Sequence, residues 1–274
     1  MIEYETICPK CLIQSRKSDI SHVHISRMTG EVTDADFIKA TCTDGHSINI
    51  FPREGKYPFI LAHALRSFQA GQLYEAAASG YAALEDFMKL FIQASTWVST
   101  DQPKDVKPLY DKVASNKLVM GNSTRIIGAY AYLYQLNTGS IIQQRKFEKM
   151  SHIRDDIIHA AKIPQASDVN KLLVAIYKHV SIATIRWHHS ADNGRHLLPW
   201  LPEYKMQLAT AALMESDLAS NNTQEIINQL TQSTTILLPD MQLFSDVNEL
   251  NTRIEEISTK EIDAITIAEN IPKL

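Results

Sequence analysis

Glycine is scarce, at nine residues in 274, and cysteine is scarcer, at three. With 45% hydrophobic and 21% charged residues, the composition excludes a collagen-like or disordered chain. No apolar run approaches the roughly 18 residues that a membrane span requires. The opening MIEYETICPK carries acids where a secretory leader would carry basic and then apolar residues. The expectation is a soluble, cytoplasmic protein with no membrane partner. Neither internal repeats nor low-complexity tracts are visible, and the length suits roughly two domains of ~150 residues each.

Charge of one sign is also limited. The net charge is −4, distributed unevenly: from Glu203 onward, four Lys/Arg face twelve Asp/Glu, a balance of −8 that leaves +4 for the first 202 residues. An excess of +4 is compatible with touching a nucleic acid but falls short of a surface built to coat one. The acidic C-terminal part would repel phosphates.

An odd cysteine count without an export signal argues against a disulfide framework. Cys8 and Cys11 form CPKC, and Cys42 opens CTDGH, which closes at His46. Two short ligand pairs brought together by a small sheet are what a tetrahedral zinc site needs. The intervening residues offer strands at 20–26, FIKATC and SINIFP, with MTGEV as a turn. Fewer than ~55 residues bury little core, so a metal would supply the missing stability. Residues 1–52 therefore read as a zinc-ribbon-like module with Cys8, Cys11, Cys42 and His46 as ligands. His22 and His24 remain alternatives for the fourth position, and metal-free structural cysteines are the competing interpretation. A closed four-ligand site has no open position for chemistry, so its role would be structural or one of recognition.

After Pro52 and Pro58 the apolar period changes from two to about 3.6. Leu73, Ala77, Gly80, Leu84, Phe87 and Phe91 mark one buried helical face, which ends before TDQPKDVKP at 100–108. Ser123 is placed to cap a second helix bearing Ile126, Ile127, Tyr130, Leu133 and Tyr134. A third is expected from about Ser140 to Lys162, stopping before Pro164, and a fourth from Asp168 through Trp187. Four such helices imply an antiparallel bundle. An irregular crossing at 193–202 and further helices at about 204–231 and 245–269 complete the chain.

The segment MSHIRDDIIHAAKIP, residues 150–164, concentrates the chemistry. Met150, Ile153, Ile157 and Ala160 step by three and four as a buried face, leaving His152, Asp155, Asp156 and His159 on the other. Asp155 and His159, four apart, can meet on one helix surface, and Arg154 can reach over the same patch. These groups suffice to break a phosphodiester by internal attack. Imidazole titrates near neutrality and can take the proton of a 2′-hydroxyl. A guanidinium can hold a phosphate oxygen with two donors and stabilise the developing charge. A carboxylate can orient the imidazole, and no metal is needed when ribose supplies the nucleophile. By themselves, Arg–Asp pairs and surface histidines are common on solvated helices. A metal site on His152 and His159 is disfavoured, because seven residues separate them rather than four. Arg145, Lys146 and Lys149 precede the motif, where they would steer RNA or simply be solvated. His188, His189 and His196 form a second histidine group that no carboxylate accompanies.

R-D-D-I-I-H at Arg154–His159, followed by AAKIP, resembles the R-x(4–6)-H motif of the HEPN superfamily of small helical bundles. YAALEDFMKLFI, from Tyr81, resembles the first helix of that family, and the helix after Asp168 falls where its last one would. The resemblance covers about residues 59–190. It implies a metal-independent endoribonuclease that leaves a 2′,3′-cyclic phosphate, with two protomers bringing their motifs together in a dimeric cleft. Arg154 would bind phosphate, His159 would transfer protons, and Asp155 would occupy a position more often Asn or His. Many members are toxins or abortive-infection effectors, and some are inactive scaffolds.

The expected fold is mainly α: a small N-terminal β module (1–52), a HEPN-like antiparallel bundle (53–202) and an acidic helical extension (203–274). The expected function is endoribonuclease, as a toxin or anti-phage effector, with structural zinc, RNA as substrate, a homodimeric cleft and a restraining protein partner. The alternatives are a catalytically inactive module that binds RNA, a nucleotide or a protein, and, behind it, a chelator-sensitive metal hydrolase.

Overall fold

The computed structural model describes residues 2–12, 26–35, 37–52, 55–99, 107–188, 206, 208–212, 230–233 and 247–270. It is mainly helical, with one small sheet. The chain forms two compact units, 1–55 with 205–235 and 273–274, and 56–204 with 236–272. The stretch 203–274, expected as a separate extension, thus divides between them.

In the first unit, β1 (Ile2–Ile7), β2 (Arg27–Val32), β3 (Ile38–Cys42) and β4 (Ser47–Pro52) form an antiparallel meander. A fifth strand, β5 (Leu230–Ser233), joins β4 in parallel. The expected strand at 20–26 falls, apart from Ser26, outside the described residues, as do His22 and His24. MTGEV is not the expected turn but most of β2. Gly30 lies opposite Ala40, and a Cβ there would sit 2.7 Å from the Lys39 carbonyl oxygen. That glycine permits close approach of two strands rather than a reversal of the chain. In β3, Ile38, Ala40 and Cys42 alternate inward with period two, so the last cysteine points to the buried face.

In the second unit, α1 (Tyr57–Gln69) and α2 (Leu73–Ser99) form a helical hairpin. The 27 residues of α2 make it the central helix, in contact with α5 (Ser123–Thr138), α6 (Gln144–Ile158) and α7 (Ala166–His188). Between them lie the short α3 (Lys107–Ser115) and α4 (Lys117–Met120). The expected helix at 245–269 is interrupted: α8 (Val247–Thr259) packs on α7, and α9 (Ala264–Asn270) packs mainly on α1. Asn170 accepts the Ala264 N–H at 2.8 Å, and Asp263 accepts that of Thr266 at 2.7 Å, so a fresh cap starts α9. Of the expected helix at 204–231, the described part contains helix at 208–212 and strand β5.

An aromatic cluster fills the core of this unit. Phe91 meets Trp187 with centroids 4.4 Å apart and Tyr130 edge-on at 5.1 Å. Tyr130 is wholly buried, and its hydroxyl hydrogen-bonds His179 Nε2 at 2.9 Å. Burial raises its pKa, so the phenol stays protonated.

Two helix ends near the site differ from expectation. The cap of α5 is Asn122, whose side chain accepts the Arg125 N–H at 3.0 Å, so Ser123 is the first helical residue and its hydroxyl is available elsewhere. Helix α6 stops at Ile158, four residues before the expected end. Beyond it Ala161 adopts φ 51°, and the Lys162 N–H returns to the Asp156 carbonyl. Ala160, expected on the buried face, is exposed past the helix end.

Candidate active site and metal centre

Arg154 is the hub of the site in the helical unit. It leaves α6 toward α2, where Tyr81 and Glu85, one turn apart, face it. Its guanidinium carbon lies 4.3 Å from the Tyr81 ring centroid, a cation–π contact. Nη2 donates to Ser123 Oγ at 2.8 Å and lies 3.7 Å from Glu85 Oε1. Ser123 Oγ donates in turn to Glu85. Nη1 donates to Asp155 Oδ1 at 2.7 Å and to His159 Nε2 at 2.7 Å. The ring is pinned as well, because Tyr81 and Ser151 hydroxyls hydrogen-bond at 3.2 Å.

The exposures differ in a useful way. The Arg154 side chain is 15% exposed, whereas those of Asp155 and His159 are 50% and 65% exposed. The cation is held from below while the imidazole and carboxylate meet solvent. Because Arg154 can only donate, its bond to Nε2 requires the neutral imidazole with its proton on Nδ1. Asp155 stands 3.9 Å from the same nitrogen, so Arg154, not the carboxylate, orients the ring.

The structure thus brings Arg154, Asp155 and His159 together and adds three groups that local spacing did not assign to them: Tyr81, Glu85 and Ser123. Nothing local singled out Glu85, since Asp86 and Lys89 follow it on the same amphipathic helix. His152 is exposed, and Asp156 pairs with Lys162 at 3.0 Å outside the cluster. His189 and His196 lie outside the described residues.

The second cluster lies in the sheet unit. Cys8 and Cys11 sit on a helical turn directly after β1, with the Cys11 N–H directed at Cys8 Sγ at 3.5 Å. Cys42 ends β3 and His46 precedes β4. The tight connection between them closes on a Gly45 N–H to Cys42 carbonyl bond, with Gly45 at φ 78°. The three sulfurs and His46 Nδ1 all lie within 4.8 Å of one another. Cys11 and Cys42 sulfurs are 3.9 Å apart, and His46 Nδ1 is 3.8, 3.2 and 3.6 Å from Cys8, Cys11 and Cys42. A tetrahedral zinc with ordinary bond lengths has S···S edges of about 3.8 Å and S···N edges of about 3.6 Å. The donor set therefore fits a metal ion.

The thiols are electrically unequal. Burial, then hydrogen bonds to Asp44 and the other thiols, push Cys11 up to about 12. Burial raises Cys42 too, but N–H groups of His46 and Asp44 donating to its sulfur outweigh it and bring that thiol to about 6. Among the described residues no other group of three or more His, Cys, Asp or Glu side chains is placed to hold a metal.

No helix among the described residues is long and apolar enough to cross a membrane. Compared with family models, curated proteins and solved structures, the chain matches none.

Proposed function

We propose that the protein is a metal-independent endoribonuclease of HEPN type that cuts RNA by attack of a 2′-hydroxyl on the adjacent phosphodiester. The observation that carries the reading is the single nitrogen, Arg154 Nη1, shared at 2.7 Å by His159 and Asp155 at a solvent-open edge. A phosphate oxygen replaces His159 as the acceptor on Nη1. That exchange frees the Nε2 lone pair beside the bound phosphodiester. The imidazole then takes the 2′-hydroxyl proton, the 2′-oxygen bonds to phosphorus, and the 5′-oxygen leaves and gains a proton. The products are a 2′,3′-cyclic phosphate and a free 5′-hydroxyl. Guanidinium charge opposes the negative charge that grows on the phosphoryl oxygens. Tyr81, Ser123 and Glu85 position Arg154 without touching substrate.

Two copies of the chain place their motifs in one cleft, as the resemblance implies, and the proton for the leaving oxygen comes from the second motif. In the sheet unit, Cys8, Cys11, Cys42 and His46 hold a zinc ion whose contribution is structural, with all four positions filled by protein. A toxin or anti-phage role, a cytoplasmic setting and a restraining protein partner complete the proposal. Its cellular test is expression of the parent and of His159→Ala: growth arrest by the parent alone supports it, and equal growth contradicts it.

One observation favours a second reading, a catalytically silent module. Glu85 and Asp155 both stand beside Arg154, and two carboxylates repel the phosphate that the guanidinium would bind. Under it, RNA binding survives His159→Ala and no cyclic phosphate forms.

A further inference from the structure

A cavity of about 610 Å³ opens among α6, α7, α8 and residues 141–143, lined by neither Asp155 nor His159. Its charge is its distinguishing feature. Lys149, Lys171, Lys178 and Arg186 line it, and no acid does among the described residues, in a chain where acids outnumber bases 31 to 27. Residues 171, 175, 178, 182 and 186 of α7 advance by threes and fours, so one face of that helix brings three of the cations to the cavity.

The cations differ in what already holds them. Lys178 Nζ donates to the Ser258 and Lys260 carbonyls at 3.1 and 2.7 Å, tying α7 to the end of α8. Lys171 lies 3.6 Å from Asp168. Arg186 is half-buried and donates once, to Tyr134 Oη at 3.2 Å, with no acidic partner among the described residues. Among the described residues, its other donors meet no partner. Around the cations the wall is apolar, with Phe147, Met150, Ile153, Ile182 and Ile254. A concave apolar site of this volume with a few converging polar groups is the usual form of a small-molecule site.

We propose that this cavity binds an amphipathic organic anion, with its acidic head on Arg186 and Tyr134 and its apolar body against the isoleucines of α6, α7 and α8. Aliphatic and aromatic anions share the chemistry that the wall recognises, a carboxylate, sulfonate or phosphate on a hydrophobic frame. The site is separate from the nuclease motif, so binding persists in His159→Ala and either reading can fail alone.

The test titrates the purified full chain with anilinonaphthalene sulfonate and competes it with decanoate or with the uncharged decanol. One saturable site is expected, with decanoate competing at least tenfold better than decanol. Arg186→Gln weakens dye binding at least tenfold, and Ala175→Phe, which fills the cavity without altering charge, removes it. Absence of saturable binding, equal competition by decanol, or unchanged binding in either variant overturns the proposal.

Discussion

Arg154 Nη1 lies 2.7 Å from His159 Nε2, although five residues separate them and α6 has ended between the two. His159 is the C-cap of α6, with its backbone still right-handed helical and its N–H bonded to the Asp155 carbonyl, so the helical repeat carries the imidazole over Arg154 before Ala161 turns the chain at positive φ.

Glu85 and Ser123 are expected to act on Arg154, not on substrate. Glu85→Ala removes the carboxylate that accepts from Ser123 Oγ and stands 3.7 Å from the guanidinium, and should cost roughly 1–3 kcal/mol, the range for unmaking a partly buried charged hydrogen bond. Thermal unfolding checks the loss. Under the nuclease reading, Ser123→Ala lowers cleavage while leaving the chain folded, and an unchanged rate would remove the positioning role.

Metal removal should act on the sheet unit. One zinc per chain is expected by elemental analysis of the purified protein. Cys8→Ser or Cys42→Ser should abolish it and lower the melting temperature. Protein that carries no metal, or keeps it in both variants, contradicts the assignment.

Gly30→Val tests the close pairing of β2 and β3. The new Cβ meets backbone at Lys39 and Ala40, which cannot move aside as a flexible side chain can. A cost of about 1–3 kcal/mol follows for overpacking, with weaker metal retention because Cys42 ends the displaced strand. Denaturant titration measures it.

Acid should loosen α9. The Asp263 carboxylate accepts the Thr266 N–H, which holds its pKa below the ordinary 3.8. A depressed pKa means stabilisation that is complete above the unfolded value and fades as pH falls through the folded one. Amide protection over 264–270, measured against the intrinsic exchange rate at each pH, should fall below about pH 4, where an unperturbed Asp gains its proton. Asp263→Ala should show the lower protection already at neutral pH. Identical pH profiles in the two proteins would refute the cap.

The parts of this structure that follow a local period were legible in the sequence. Leu73 through Phe91 repeat at helical spacing and line the buried face of α2, and Cys8, Cys11, Cys42 and His46 announce themselves by pair spacing. What escaped depends on contacts distant along the chain. Glu85 and Ser123 meet Arg154 across 69 and 31 residues, and β5 joins β4 from nearly 180 residues away. Gly30 was misread because a glycine that admits a neighbouring strand and one that turns the chain look alike locally. Ser123 was displaced from its expected cap because Asn122 was equally able to serve, and only the long-range bond to Glu85 tells them apart.

The most direct test of the central claim is cleavage of a defined RNA oligonucleotide in excess EDTA by the parent, Arg154→Ala and His159→Ala. The Arg154–His159 pair predicts a 2′,3′-cyclic phosphate product from the parent and losses of about 10²–10⁴-fold in each variant. Equal rates in all three, or cleavage that EDTA abolishes while the zinc stays bound and the chain folded, would contradict it.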